Sequence, residues 1–405
     1  MRRLTLAAAV AGGLVPFLLP SHAARAQGAA GRPADLVLRT PEVEYAEPFS
    51  ALAGVRELTD GRVLVSDRTE KSIQLLDLAR GSARNVGREG GGPNEFRIPG
   101  PVFALPGDST AVFDMGSMRY LIVAPDGSVA GTFSTADPGE PDMRTMLPAR
   151  AVDGSGNLYL FDRGMTLGVP GGGPPQPADS GTVLRFDRRS RTLTPIAKVA
   201  VPRAEVRSEG SSNERRVMVR MGNPFAAQDE WAAGHDGRIA VVRHDPYRVE
   251  WLAPSGQRVT GPTVPVERLP LTERDKQEYR ERMQSGGGVR MAVTMERGGG
   301  GSSSSASMGP ATTSMRVPEP SDWPEFKPPF LANAAVVAPD GRLWVQRTVP
   351  AGAAPRYDVF DSFGRPAGSV TLPAGTRLLG FGRSSAYLVR TDADDLQYLQ
   401  RYRLW

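Results

Sequence analysis

The chain has 405 residues, with 49 basic and 44 acidic side chains and no cysteine. Disulfide staples and a lipidated cysteine are therefore excluded, and a chain this long buries a large core without them. Setting aside Arg2, Arg3 and Arg25 takes the 49 basic residues to 46, so the remaining charge is near +2. That argues against nucleic acid as the main partner.

The N-terminus reads as an export signal. Arg2 and Arg3 precede an apolar run from Leu4 to Leu19, broken by Gly12, Gly13 and Pro16, and Ala24-Arg25-Ala26 supplies a small-x-small cleavage pattern. A membrane-spanning helix wants about 20 uninterrupted apolar residues, and this run is shorter. The expectation is a signal peptide over residues 1–26 and a mature protein in the periplasm or outside the cell. No membrane span remains after cleavage.

One stretch then sets the grammar for the rest. From Asp60 to Gly100 the chain reads DGRVLVSDRTEKSIQLLDLARGSARNVGREGGGPNEFRIPG: a tight turn, a strand, a second strand, another turn and a glycine-rich loop. The turn recurs at Gly107-Asp108, Asp153-Gly154, Asp236-Gly237 and Asp340-Gly341, with a degenerate copy near Gly382-Arg383. Short apolar strands follow these turns: VLVSD, TAVFD, LYLFD, IAVVR, LWVQR and AYLVR. A third strand comes next in each unit, as in IQLLDL, TVLRFD and RYDVFD. Four short antiparallel strands repeated six times predict an all-β, six-bladed β-propeller over residues 35–405. A seventh blade within Val201 to Gln228 has only Val217 to Met221 as strand-like support. Asp35 to Arg39 has no unit of its own and is expected to complete the sixth blade, hiding two sheet edges.

The unit GRVLVSD…IQLLDL followed by GREGGGPNEFRIP resembles the NHL-type repeat of six-bladed propellers. The likeness is good in the first unit, moderate in the third to fifth, and weak in the second and sixth. It implies a ligand-binding or protein-binding propeller. Some similar propellers are enzymes, and their catalytic motifs are not evident in this sequence.

Antiparallel alternation puts the A–B and C–D turns on one side of the disc and the B–C and D–A loops on the other. The long segments all fall on the second side: Gly164 to Ser180, Gly87 to Pro99, Ala136 to Met146, Arg203 to Gln228 and Val264 to Phe330. Long loops on a rigid scaffold commonly carry binding. The insertion at 264–330 contains TERDKQEYRERMQ, residues 272–284, which predicts a helix capped by Thr272 with Asp275 three residues on. Residues 286–314, with their glycine and serine runs, predict a flexible linker. WPEFKPPF, Trp323 to Phe330, then anchors the return. The helix is either a lid over the channel mouth or a solvated helix docked on the rim.

Chemical motifs are few. The chain beyond the signal holds only His235 and His244, and it has no cysteine and no G-x-S-x-G elbow. GREGGGPNEF lacks the Gly-Lys-Ser/Thr of a phosphate loop. Asp392, Asp394 and Asp395 lack the spacing of a calcium loop and read as a solvated acidic turn. A lactonase-type metal site would need acids or Asn converging on the channel, and no such set is identifiable. No cofactor is expected.

One pattern remains after the second strands are aligned. Their last residues are Asp67, Asp114, Asp162, Arg243, Arg347 and Arg390, three acids followed by three arginines. These six predict a polarised ring at the channel mouth, or else two arcs paired with their neighbours. Arg68, next to Asp67, and His244, at the start of the fourth B–C loop, complete the candidate ligand-binding set. The reading is an exported binding or scaffolding propeller, taking a small anionic or zwitterionic ligand or a protein on its long-loop face. A metal-dependent, lactonase-like hydrolase and a structural subunit of an envelope assembly are the alternatives.

Overall fold

Six four-stranded antiparallel sheets follow one another along the chain, each built in the order A, B, C, D from the axis outward. The computed structural model describes residues 34–136, 143–164, 178–202, 205–209, 216–220, 223–285 and 323–404. The expected signal peptide and the linker at 286–314 lie outside these residues, as does most of the loop from 164 to 180. Blade one spans Leu52–Glu57, Val63–Asp67, Ser72–Asp77 and Ser82–Asn85. Blade two begins at Pro99–Ala104 and blade three at Ala151–Val152. Blade four begins at Glu230–Ala233, blade five at Ala335–Val337 and blade six at Thr376–Phe381. First strands lie against one another from blade six through blades one to five, which sets them around a common axis.

The apolar run in each B strand has a physical reason. A blade is sandwiched between two others, so both of its faces are buried and period-two alternation gives way to a continuous run. Val63 and Val65 pack toward blade six, while Leu64 packs toward blade two. Six hydrophobic clusters result, one at each blade–blade interface, and together they close the ring. Trp231, Trp251 and Trp344 are almost fully enclosed in them.

Five of the A–B turns share one hydrogen-bond frame. Leu58 N donates to Arg62 O, Leu105 N to Ser109 O, Asp153 N to Asn157 O, Gly234 N to Arg238 O and Ala338 N to Arg342 O, while the sixth turn is one residue tighter, with Gly382 N donating to Ser385 O. The Asp carboxylate of the turn accepts the N–H two residues on, as Asp60 does from Arg62 and Asp340 from Arg342. The glycine takes positive φ, 87° at Gly61 and 80° at Gly341, where a side chain would be strained.

Ring closure differs from the sequence expectation. Ala34–Val37 pairs in parallel with Pro366–Thr371 and so forms a fifth strand on blade five, not the fourth of blade six. Blade six is completed by Val43–Glu44, antiparallel to Gln397–Arg403. Leu36 and Leu38 find their burial in the cluster between blades five and six, which satisfies their apolar pattern one blade early. Two residues suffice for the closing strand because Phe49 bridges to Gln397 as the chain turns inward to Leu52.

The connection between blades three and four carries a two-stranded hairpin, Glu205–Glu209 with Arg216–Arg220, and not a seventh blade. The glycine-rich loop after blade one folds on itself: Arg88–Glu89 pairs with Glu95–Phe96, and Glu95 accepts from Gly92 N and Arg88 Nε. The helix α1, Glu273–Ser285, follows Thr272, whose hydroxyl and N–H both donate to Asp275. It docks on the disc: Tyr279 meets Phe225 and Trp323 edge-on, and Asp275 pairs with Lys327. No helix among the described residues is long and apolar enough to cross a membrane.

Candidate functional site

Asp67, Asp114, Asp162 and Arg347 end their B strands, and Arg243 and Arg390 stand one residue before the ends of theirs; the six side chains do not form a free ring. Asp67 is 1% exposed, and its carboxylate accepts four backbone N–H groups, from Ser50, Ala51, Thr69 and Glu70. Asp114 is equally buried and accepts from the N–H groups of Arg97, Ile98 and Gly116. Asp162 accepts from Gly164 N. These acids tie the incoming loop and the B–C turn to the strand end, a role suited to a short side chain beside unpaired amides.

The arginines of the other three blades have protein partners. Arg243 is held between Asp229 at 2.7 Å and Glu250 at 3.0 Å. Arg347 donates to Asp358 and Pro329 O and lies over the Tyr247 ring. Arg390 meets Glu44 through two hydrogen bonds and stacks on Tyr398. Of the two expected outcomes for these residues, local pairing is therefore the one the structure contains. His244 Nδ1 lies 2.9 Å from Asp229 Oδ1, so the histidine is oriented by an acid instead of facing open solvent.

One residue further along each strand, the picture changes. The pleat turns the following side chain the other way. Arg68 and Met115, which follow Asp67 and Asp114, both line a cavity of about 480 Å³ at the long-loop end of the disc. Its walls come from the start of blade one (Ala51, Leu52, Ala53), from Gly100, Pro101 and Phe113 of blade two, and from Pro148 ahead of blade three. Arg377 and Gln397 of blade six also line it, and among the described residues none of its lining is acidic.

Arg377 is the residue that sequence reasoning missed. It sits in the first strand of the most degenerate repeat, where no motif marks it. Its Nη2 donates to Leu52 O at 2.8 Å and to Gln397 Oε1 at 3.1 Å, and Gln397 in turn accepts from Leu52 N. Two fixed groups thus hold the guanidinium of a residue that lines the cavity. Removal from bulk water, with Arg68 as a like-charged neighbour, holds its pKa below the usual guanidinium value. Arg68 is exposed and no hydrogen-bond or ion-pair partner of its side chain occurs among the described residues. The arrangement offers two forked donors beside an apolar wall, which suits a carboxylate or phosphate on an apolar body.

Other chemistry is sparse here. Among the described residues, no three His, Asp or Glu side chains form a group that could hold a metal ion. Asp392 accepts from Asp394 N and Leu396 N as an ordinary turn. No described side chain of α1 is among the residues that line the cavity.

No protein-family model matches the chain, and no curated protein matches it. Solved structures do resemble it in fold. A member of the duf4221 family from Bacteroides vulgatus is 7% identical, with 91% of this chain and 96% of that one covered and a TM-score of 0.43. A gluconolactonase from Xanthomonas campestris is 12% identical over 90% of this chain and 94% of its own, at 0.41. A streptogramin B lyase is 11% identical over 89% and 86%, at 0.38. The likeness is that of a six-bladed propeller shared by lactonases, lyases and uncharacterised proteins.

Proposed function

We propose that the chain is an exported binding propeller that takes a small anionic ligand with an apolar body in the cavity between Arg68 and Arg377. The observation that carries this reading is a like-charged pair of guanidiniums on a cavity whose lining, among the described residues, contains no acid. Two cations without a counter-charge in that lining leave an electrostatic deficit that an anion corrects. A cavity of this size suits a ligand of small-molecule dimensions, and the pairing of a few placed polar groups with apolar walls is typical of such sites. The first repeat supports a place among NHL-type propellers, whose members bind ligands or proteins. The N-terminal pattern supports export. The hydrolase alternative gains no metal-holding group from the described residues.

Calorimetric titration at low ionic strength with hexanoate, octanoate and benzoate tests the reading. Binding is expected, and the double variant R68Q–R377Q should weaken it at least tenfold in a protein that circular dichroism shows to be folded. Undiminished binding by that variant, or no binding of any carboxylate by the native protein, would overturn the proposal.

A further inference from the structure

Within the described lining of the cavity, Gln397 is the single uncharged polar side chain. Its Oε1 accepts from Leu52 N at 2.9 Å and from Arg377 Nη2 at 3.1 Å. A backbone N–H and a guanidinium only donate, so this end of the amide has to be the oxygen. The backbone of Gln397 is held too: its N–H donates to Phe49 O at 2.8 Å, and its C=O accepts from Phe49 N at 2.7 Å. With the backbone and Oε1 both fixed, the direction of the amide nitrogen follows.

Nε2 carries two N–H groups. Among the described residues it has no hydrogen-bond partner, and it is not sealed from water. Oε1 stands between this nitrogen and the Arg377 guanidinium, so the two groups present donors side by side. The described lining has no hydroxyl and no acid to answer them. Its carbonyls at Leu52, Ala51 and Gly100 already accept from Arg377 Nη2, Arg68 N and Ser66 Oγ. A ligand atom next to the bound carboxylate is therefore met by a donor and not by an acceptor.

We infer that the ligand is a 2-oxo acid, with its carboxylate on Arg377 and Arg68, its keto oxygen on Gln397 Nε2 and its hydrocarbon chain along Phe113 and Met115. The inference rests on the anion-binding reading of the cavity and adds the ligand class and the residue that selects it. A carboxylate and a keto group on adjacent carbons are neighbouring acceptors, which suits a guanidinium fork beside an amide N–H. A 2-hydroxy acid brings the same oxygen with a hydrogen that the described side chains of the lining cannot accept.

Titration of octanoate, 2-oxooctanoate and 2-hydroxyoctanoate into the native protein, Gln397→Met and Gln397→Glu tests this. The native protein should bind 2-oxooctanoate at least tenfold tighter than octanoate, and 2-hydroxyoctanoate should gain less. Gln397→Met should bring the oxo-to-plain ratio to about one in a protein that circular dichroism shows to be folded. Gln397→Glu keeps an acceptor for Leu52 N and Arg377 but removes the donor, so it should lose the preference as well. If octanoate binds but the oxo acid is not preferred over both others, or if either folded variant keeps the preference, the inference fails and the cavity reading stands. Loss of all three acids in both folded variants would make Gln397 a support for Arg377 and overturn its role as a donor. If none of the three binds the native protein, both readings fall together.

Discussion

The carboxylate of Asp275 meets the ammonium of Lys327 at 2.5 Å, with only 6% and 3% of the two side chains exposed. Lys327 also donates to Val349 O, so one ammonium joins the helix, the returning segment and blade five. Burial pushes the Asp275 carboxyl up, but the bonds from Lys327 and Thr272 outweigh it and hold it below the usual carboxylate range. Removing one partner leaves the other buried and unpaired, which typically costs about 3–5 kcal/mol. Lys327→Met should therefore lower stability by that order and expose the amides of α1 to hydrogen exchange. The double variant D275N–K327M should recover part of the loss. Native-like melting and exchange in Lys327→Met would show that the pair does not hold the insertion.

The pair of Asp229 and His244 sets a pH dependence. Its hydrogen bond to Asp229, stronger than the opposing effect of burial, raises the His244 pKa above the ordinary imidazole value. A group raised on folding stabilises fully below its unfolded value, about 6.5, and that contribution fades as pH rises through the folded value. Burial pushes Asp229 up, yet the bonds from His244, Arg243 and the Ala200 and His244 amides hold it well below the usual range. Its contribution is present above the unfolded carboxylate value and fades as pH falls. The native protein should lose melting temperature as pH rises past about 6.5 relative to His244→Gln. Parallel curves for the two proteins across pH 5 to 9 would contradict this.

Closure can be tested by two truncations. Removing residues through Pro41 deletes the parallel fifth strand of blade five but keeps Val43–Glu44 on blade six. Removing residues through Ala46 deletes both and leaves the third strand of blade six as an open edge. The first should remain monodisperse with a modest loss of stability, and the second should aggregate or melt far earlier. Size-exclusion chromatography decides, and equal behaviour of the two would mean that Val43–Glu44 does not close the ring.

The two halves of the original six-residue pattern should respond unequally. Arg390 and Glu44 are each about one-third exposed, and such pairs contribute about 0–1 kcal/mol, so Arg390→Gln should be mild. Asp67→Ala leaves four amide donors at a buried strand end without their acceptor, at about 1–3 kcal/mol or more. Neither change should alter carboxylate affinity in a protein that remains folded. A larger loss for Arg390→Gln than for Asp67→Ala in urea melts would reverse these assignments.

The fold was legible because its signals are local. Asp-Gly turns with positive φ and five-residue apolar runs report their own geometry, and six copies reinforce one another. Closure was not legible because Val43–Glu44 is too short to carry a pattern, whereas Asp35 to Arg39 carries one that serves blade five. Of the cavity's described lining, the candidate set contained Arg68 alone. Alignment of strand ends drew the eye to Asp67 and Asp114, whose identities serve backbone amides, while the pleat presents Arg68 and Met115 to the cavity. Arg377 was beyond reach, since only closure of the ring brings blade six beside blade one.

The strand-end frame separates two duties that many folds load on the same residue. Geometry is kept by the turn, the buried run and the capped strand end, all upstream of the position that looks into the mouth. Arg68 and Met115 stand at two such places, in blades one and two. Their side chains are letters on a frame that does not read them. A propeller built this way can change the chemistry of that wall by rewriting such letters, with its disc left as it is.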